Sequence, residues 1–357
     1  MIFGRRLFLL RKAMTETDLD VFIVMDRANT FYLTGFQGTY SLLMVTEDHA
    51  LFLTDSRYYE CARNSLPSEY EIVLQMHDGK NQLKSFFTIH GKLRVGFEPR
   101  ISYEKFRWLG DAVRPARLVE TKDIIDPLRR TKDEDELRCI RRAAALGDRC
   151  FQRICHEIKP GICERELALQ IRRFFEDAGA EGESFPAIVA FGPNAALPHH
   201  QTSRRKLKKG DVVLIDMGCR IKGYCSDMTR TLFLDTAREK EREIYRIVLE
   251  AQTKGLEAVK PGLPAREVDE VVRQHIIGEG YGDAFGHNTG HGVGIEIHES
   301  PVLGPQSADL LQEGMIITIE PGIYCPRFSG VRIEDLVLVT KEGAQCLSKS
   351  SKQMRIL

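Results

Sequence analysis

The stretch VVLIDMGCRIKGYCSDMTRTLFL, Val212 to Leu234, decides how this chain is read. Asp216 and Asp227 stand inside apolar runs rich in Val, Ile, Leu and Phe, the composition of buried strands, where a carboxylate is costly. Arg220 to Gly223 offers a chain reversal between them, so the segment is predicted to form a β-hairpin. With that reversal at its centre, Asp216 and Asp227 fall directly opposite each other, their Cβ atoms about 5 Å apart on one face. Two carboxylates that close repel, and each must take a proton or share a cation.

The same device recurs further on. Glu320 ends the run GMIITIE, Arg327 to Gly330 can turn the chain, and VRIEDLVLV carries Glu334 back. GMIITIE itself resembles GDVVLID (Gly210 to Asp216), each a glycine followed by an apolar strand that ends on an acid. Upstream of each, IKPGICERELALQIRRFFEDAG (from Ile158) aligns without gaps onto VKPGLPAREVDEVVRQHIIGEG (from Val259), matching Lys159, Pro160, Gly161, Arg165, Glu166, Arg172 and Gly179 with their counterparts. An internal duplication is therefore expected, each half a helix layer and a sheet, with the acidic pairs converging where the halves meet. Acids at matching places in both halves point to a polyvalent cation.

Histidines extend this pattern. GHNTGHGVGIEIHESP carries His287, His291 and His298, with Gly286, Gly290, Gly292 and Gly294 leaving room for backbone and imidazole to approach a site closely. His199 and His200 follow FGPNAALP. One imidazole and four carboxylates form a hard, oxygen-rich donor set that suits two Mn or Co ions better than a tetrahedral thiolate zinc site, with zinc and iron left open. Two such ions polarise a carbonyl and supply a nucleophile, the requirements of metal-assisted hydrolysis. Neither GxGxxG nor HExxH is present, which argues against a dinucleotide fold and a zincin.

The remaining chain frames this centre. From residue 20 to about 120 the runs VFIVM, SLLMV, ALFLT, EIVLQ and RVGFE alternate with amphipathic stretches such as SRYYECARN and SYEKFRWLGDAV, an α/β pattern. After Asp126-Pro127, Leu137, Ile140, Ala144, Gly147, Phe151, Ile154 and Ile158 recur at helical spacing behind an acidic first turn, opening a second domain with a long helix. Trp108 is read as core packing of its helix. Two domains are expected, 1–125 and 126–357.

Composition limits the partners. Lys plus Arg and Asp plus Glu both number 51, so no bulk charge draws the chain to nucleic acid or an anionic membrane. Arg5 and Arg6 before LFLL superficially suggest an export signal, but Arg11 and Lys12 interrupt the apolar run, leaving an amphipathic helix. Nine cysteines without CxxC pairs imply reduced thiols, as in the cytoplasm. No run is long enough to span a membrane.

The motifs LPHH, DMGCRIKGYCSDMTRT, GHGVGIEIHESP, TIEPGIY and GVRIED, in this order, resemble the metal-dependent pita-bread peptidases, which include aminopeptidase P, prolidase and methionine aminopeptidase. YLTGFQGTYSLLMV and LFLTDSRYYECA resemble the creatinase/prolidase N-terminal domain. The resemblance implies a two-domain α/β protein, an N-terminal creatinase-like α/β domain followed by a C-terminal α+β pita-bread domain with pseudo-two-fold duplication. It makes Asp216 a ligand of one metal, Asp227 and Glu334 bridging ligands, and His291 and Glu320 ligands of the other, with Glu320 also the general acid and base. His199 and His298 are implied to contact substrate and steady the tetrahedral intermediate, and His287 to line the proline side. Tyr324 and Arg332 orient ligands and substrate. The implied reaction is hydrolysis of Xaa-Pro bonds in dipeptides or longer peptides by a homodimer. Alternatives from other classes are a methionine-aminopeptidase-like or creatinase-like hydrolase and a non-catalytic pita-bread binding module.

Overall fold

Short β-branched and aliphatic runs form strands where both faces can be covered, and the first third of the chain shows this. The computed structural model describes residues 2–75 and 79–357, and the chain divides into two units, Met1–Arg129 and Arg130–Leu357. The first unit runs α1 (Ile2–Glu16), β1 (Val21–Val24), α2 (Arg27–Thr34), β2 (Leu42–Val45), β3 (Ala50–Thr54), α3 (Tyr59–Ser65), β4 (Glu71–Leu74), α4 (Lys80–His90), β5 (Arg94–Phe97), α5 (Tyr103–Ala112) and β6 (Arg117–Val119). Its strands form one mixed sheet in the order β4-β3-β2-β1-β5-β6. Helix α1 is amphipathic as expected, burying Leu7, Leu10 and Met14. Trp108 of α5 packs partly buried against the core of this sheet. Glu98, just past β5, is buried and accepts hydrogen bonds from the amides of Met25 and Asp26 and from Asn29 Nδ2.

The second unit begins within α6 (Asp126–Arg130). It continues with α7 (Glu134–Cys155), α8 (Glu164–Asp177), β7 (Ile188–Phe191), β8 (Val212–Met217), β9 (Arg220–Ile221), β10 (Tyr224–Cys225) and β11 (Met228–Phe233). The other half comprises α9 (Glu239–Ala258), α10 (Ala265–Gly278), β12 (Gly290–Gly292), β13 (Glu299–Leu303), β14 (Ile316–Ile319), β15 (Gly322–Cys325), β16 (Ser329–Arg332), β17 (Asp335–Thr340) and β18 (Gly343–Cys346). The long helix α7 starts at a capping box in which Asp133 and Glu136 satisfy each other's backbone N–H groups. Its predicted stripe, Leu137 to Ile154, is buried throughout.

The duplication is visible in backbone bonds. Gly161 N–H donates to Leu207 O (2.9 Å), and its counterpart Gly262 donates to Leu311 O (2.7 Å). Gly210 and Gly314, each opening an inner strand, share a left-handed φ of 78° and 87°. The inner strand β8 is buried on both faces because alternate residues serve different layers. Val213, Ile215 and Met217 pack with α7 and α8, whereas Val212 and Leu214 pack with α9 and β16. Asp216 therefore shares a face with Val212 and Leu214.

The register corrects one expectation. Lys222 and Gly223, both at positive φ, form the two-residue reversal between Ile221 and Tyr224, one position later than predicted. Asp216 consequently pairs with Thr229, not Asp227. A shift of the turn centre by one residue displaces the register by two, so Asp227 keeps its face and becomes a diagonal neighbour. In the second half the reversal occupies residues 326–328, with Arg327 at φ 63°. There the ladders on either side pair Ile319 with Asp335 and Gly322 with Arg332, and this register sets Glu320 opposite Glu334. All nine cysteines are free thiols. Among the described residues no helix is long and apolar enough to cross a membrane.

Candidate active site

The ends of the inner strands deliver the acids to one place. Asp216 near the end of β8, Asp227 between β10 and β11, Glu320 after β14 and Glu334 between β16 and β17 all line one cavity of about 760 Å³ with His291 of β12. Ligand-capable atoms of Asp227, His291 and Glu334 lie within 4.8 Å of one another. His291 Nε2 is 3.3 Å from Glu320 Oε1 and 3.7 Å from Asp227 Oδ2. Its Nδ1–H donates to Gly292 O (3.0 Å), which fixes the tautomer and leaves the Nε2 lone pair turned to the carboxylates.

The glycines around His291 contribute unequally. A Cβ on Gly290 would lie 2.0 Å from the carbonyl of Thr318, and one on Gly292 would lie 2.3 Å from Ser300 O, so this strand fits only without side chains there. Gly286, expected to serve the same purpose, has open space around it.

Electrostatics show what the cluster lacks. Burial, reinforced by Glu334, Asp216 and Glu320, lifts the Asp227 carboxyl well above the usual range. Glu334 is raised for the same reasons, burial first and then Glu320 and Asp216. Burial pushes Glu320 up to about 7 despite Arg332 nearby. Among the described residues, Asp216 Oδ1 and Asp227 Oδ1 are buried without any hydrogen-bond partner. Four acids, one open imidazole nitrogen and two orphaned oxygens fit a hard divalent cation, whose charge removes both the repulsion and the vacancies in the hydrogen bonding. A second grouping, Glu250 on α9, His275 on α10 and Glu279 just beyond it, differs, because Arg246 already donates to both of its glutamates.

A polar chain runs behind the acids. Arg332 donates to Asp216 Oδ2 (2.7 Å), to Thr229 Oγ1 (3.0 Å) and to the Tyr324 hydroxyl (2.9 Å). Because Arg332 can only donate, the Tyr324 O–H is directed onward to His287 Nε2 (2.9 Å), while His287 Nδ1–H donates to Asn288 O (2.7 Å). Burial, with Arg332 adding to it, lowers His287 to about 4 and keeps it neutral. His298 stacks edge-on to His291 at a centroid distance of 4.4 Å, and burial followed by His291 lowers its pKa.

The structure thus brings Asp216, Asp227, His291, Glu320, Glu334, His199, His287, His298 and Arg332 to one cavity wall. Tyr324 lies one bond behind it. Sequence reasoning missed Thr229, whose hydroxyl donates to Glu334 Oε2 (2.7 Å) and accepts from Arg332. Its position two residues after Asp227, on the same strand face, was the available signal.

A duplicated catalytic unit with buried acids and histidines at its inner strand ends defines a metal-dependent peptidase class, and the sequence comparisons agree. The profile of metallopeptidase family M24 matches residues 138–341, and that of the creatinase/prolidase N-terminal domain matches residues 6–131; the chain belongs to this family. Among its relatives is a Xaa-Pro dipeptidase of Pyrococcus furiosus, 37% identical over 98% of this chain and 99% of that protein. The solved structure of a Xaa-Pro dipeptidase from Bacillus anthracis superposes with a TM-score of 0.96 at 37% identity, covering 99% of this chain and 100% of that one. An X-Pro aminopeptidase from Thermotoga maritima superposes at 0.88 with 32% identity, covering 97% and 100%.

Proposed function

We propose that this chain hydrolyses the bond between an N-terminal residue and a proline at the second position, with residues 126–357 as the catalytic unit and residues 1–125 as its companion domain. The carrying observation is the convergence of Asp216, Asp227, His291, Glu320 and Glu334 in one cavity with two buried carboxylate oxygens left unpaired. Relatives named as Xaa-Pro dipeptidases and an X-Pro aminopeptidase support the substrate. The family plan further implies a homodimer, and the free thiols favour the cytoplasm.

Two divalent cations would be held by Asp216, Asp227, His291, Glu320 and Glu334, which line the one cavity. The oxygen-rich donors favour manganese or cobalt over zinc or iron. When bound, such cations supply Lewis acidity to a peptide carbonyl and acidify a water. Glu320 would take a proton from the attacking water and return it to the departing proline nitrogen. His199 and His298 offer N–H groups to the oxygen that becomes negative as the carbonyl turns tetrahedral. His287, kept neutral and oriented by Tyr324, borders the proline side. Arg332 holds Asp216 in place. Proline leaves the scissile nitrogen without a hydrogen, so none of these groups needs to accept from it.

The test uses chelator-stripped protein with Mn or Co restored, offered a Xaa-Pro dipeptide, a Xaa-Pro-Yaa tripeptide and peptides with N-terminal methionine and no proline. Cation-dependent cleavage of the proline substrates is expected. Turnover of the methionine peptides alone would overturn the reading.

A further inference from the structure

Glu164, the first residue of α8, is wholly buried at 0% exposure, yet the acid–histidine cluster does not involve it. Its carboxylate is saturated with donors. Oε1 accepts from the Phe191 amide (2.9 Å) and Asn194 Nδ2 (2.8 Å), while Oε2 accepts from the Ser203 amide (2.9 Å), Ser203 Oγ (2.6 Å) and His200 Nε2 (2.8 Å). Burial alone would raise its pKa, but the hydroxyl, imidazole and amide donors outweigh burial and hold it below the usual range.

An anionic Glu164 dictates the state of its neighbour. His200 Nε2 must carry the hydrogen, because the carboxylate beside it only accepts. The ring is nearly enclosed, its side chain 8% exposed, yet it lines the same cavity as the acid cluster. Among the described residues Nδ1 has no hydrogen-bond partner. A buried polar network that fixes five donors on Glu164 and leaves the second nitrogen of a cavity-lining ring unpaired among the described residues is an arrangement for presenting that nitrogen.

We propose that His200 is a substrate-binding residue whose Nδ1 accepts a hydrogen bond from an N–H of the bound peptide, with Glu164 as the positioning residue that holds the ring. This rests on the Xaa-Pro reading above. Because proline removes the scissile N–H, the donor is either the α-amino group of the substrate or the amide that follows proline in a longer peptide. The dipeptide contains only the first, so the substrates distinguish them.

The test is steady-state kinetics of the cation-loaded enzyme on a Xaa-Pro dipeptide and a Xaa-Pro-Yaa tripeptide. His200→Gln retains an amide that can reach Glu164 but has nothing at the Nδ1 position, and it is expected to raise KM roughly five- to tenfold with kcat within about twofold. His200→Asn, whose amide oxygen falls near Nδ1 but whose shorter side chain loses the bond to Glu164, is expected to raise KM less than His200→Gln does. Glu164→Gln should reproduce the KM rise, and the double variant Glu164→Gln/His200→Gln should be no worse than either alone. A rise for both substrates assigns the α-amino group, and a rise for the tripeptide alone assigns the amide after proline. An unchanged KM in His200→Gln on both substrates overturns the proposal, as does a His200→Asn variant as impaired as His200→Gln. Should Glu164→Gln not fold, the two His200 variants decide by themselves. Wild-type enzyme inert toward both peptides fails the Xaa-Pro reading instead, and this shows before any variant is compared.

Discussion

The guanidinium of Arg332 lies 2.7 Å from Asp216 Oδ2, while the other oxygen of that carboxylate is buried with no partner among the described residues. One oxygen is thus engaged from behind and the other is left to the cavity. The same guanidinium reaches Thr229 and Tyr324, so a single planar fork sets the orientation of an acid on β8, a hydroxyl on β11 and, through Tyr324, the imidazole of His287. Lysine could not replace it, because its point charge offers no such fixed geometry.

Asp227 carries an orphaned oxygen and a raised pKa, both signs of a carboxylate placed for a cation. Asp227→Asn is expected to lower kcat/KM by at least about a hundredfold. Removing a buried, repelled charge should leave the melting temperature of the cation-free protein unchanged or higher. Circular dichroism melts beside peptide-hydrolysis assays check both halves; retained activity would remove Asp227 from the centre.

Proton linkage gives a second check. Glu320 has a folded pKa near 7 against an ordinary value of 4.5, so the folded state binds the extra proton between these values. Its contribution to stability is greatest below about 4.5 and is lost as pH rises to about 7. Glu98, buried in the first unit and also raised to about 7, acts in the same sense, whereas neutral His287, lowered to about 4, acts oppositely. The diagnostic is therefore a difference: without cations, wild type should lose stability relative to Glu320→Gln as pH rises from about 4.5 to 7. Denaturant melts across that range measure it, and parallel curves would contradict the assignment.

A divalent cation that binds only the folded acids stabilises by mass action. Manganese at about one hundred times its dissociation constant should add about 2.7 kcal/mol, seen as a rise of a few degrees in melting temperature. Asp227→Asn should show a much smaller rise in the same thermal-shift titration.

Thr229 is the hydroxyl between Glu334 and Arg332. Thr229→Val keeps its shape and removes both bonds, which predicts a loss of roughly ten- to a hundredfold in kcat. Stability should fall by about 1–3 kcal/mol, since buried polar groups lose their partner. An active, equally stable valine variant would make this hydroxyl incidental.

Gly290 is predicted to be intolerant for a steric reason. A Cβ there would stand 2.0 Å from the Thr318 carbonyl, so Gly290→Ala must push apart the strands carrying His291 and Glu320. The expected outcome is a loss of about 2–4 kcal/mol together with lost turnover. Gly286→Ala, in open space, is the matched control with near-native stability.

Local pattern accounts for much of this molecule. Acids that end apolar runs, the helix spacing after Asp126, the capping acids of α7 and the two matching KPG-led helices were all readable in order along the chain, because strand and helix periodicity and end signals are local properties. The candidate ligands could be named on the same grounds together with their family resemblance. Only the folded chain decided the partners. The turn at Lys222-Gly223 set Asp216 against Thr229 instead of Asp227, a difference of one position that depends on which residues take positive φ. The Arg332 fork and the Glu164–His200 pair join residues far apart in sequence, 116 positions between Arg332 and Asp216 and 36 between Glu164 and His200. Such contacts arise from how strands and helices pack, which neither periodicity nor spacing encodes, and they determine which oxygen and which ring nitrogen remain open.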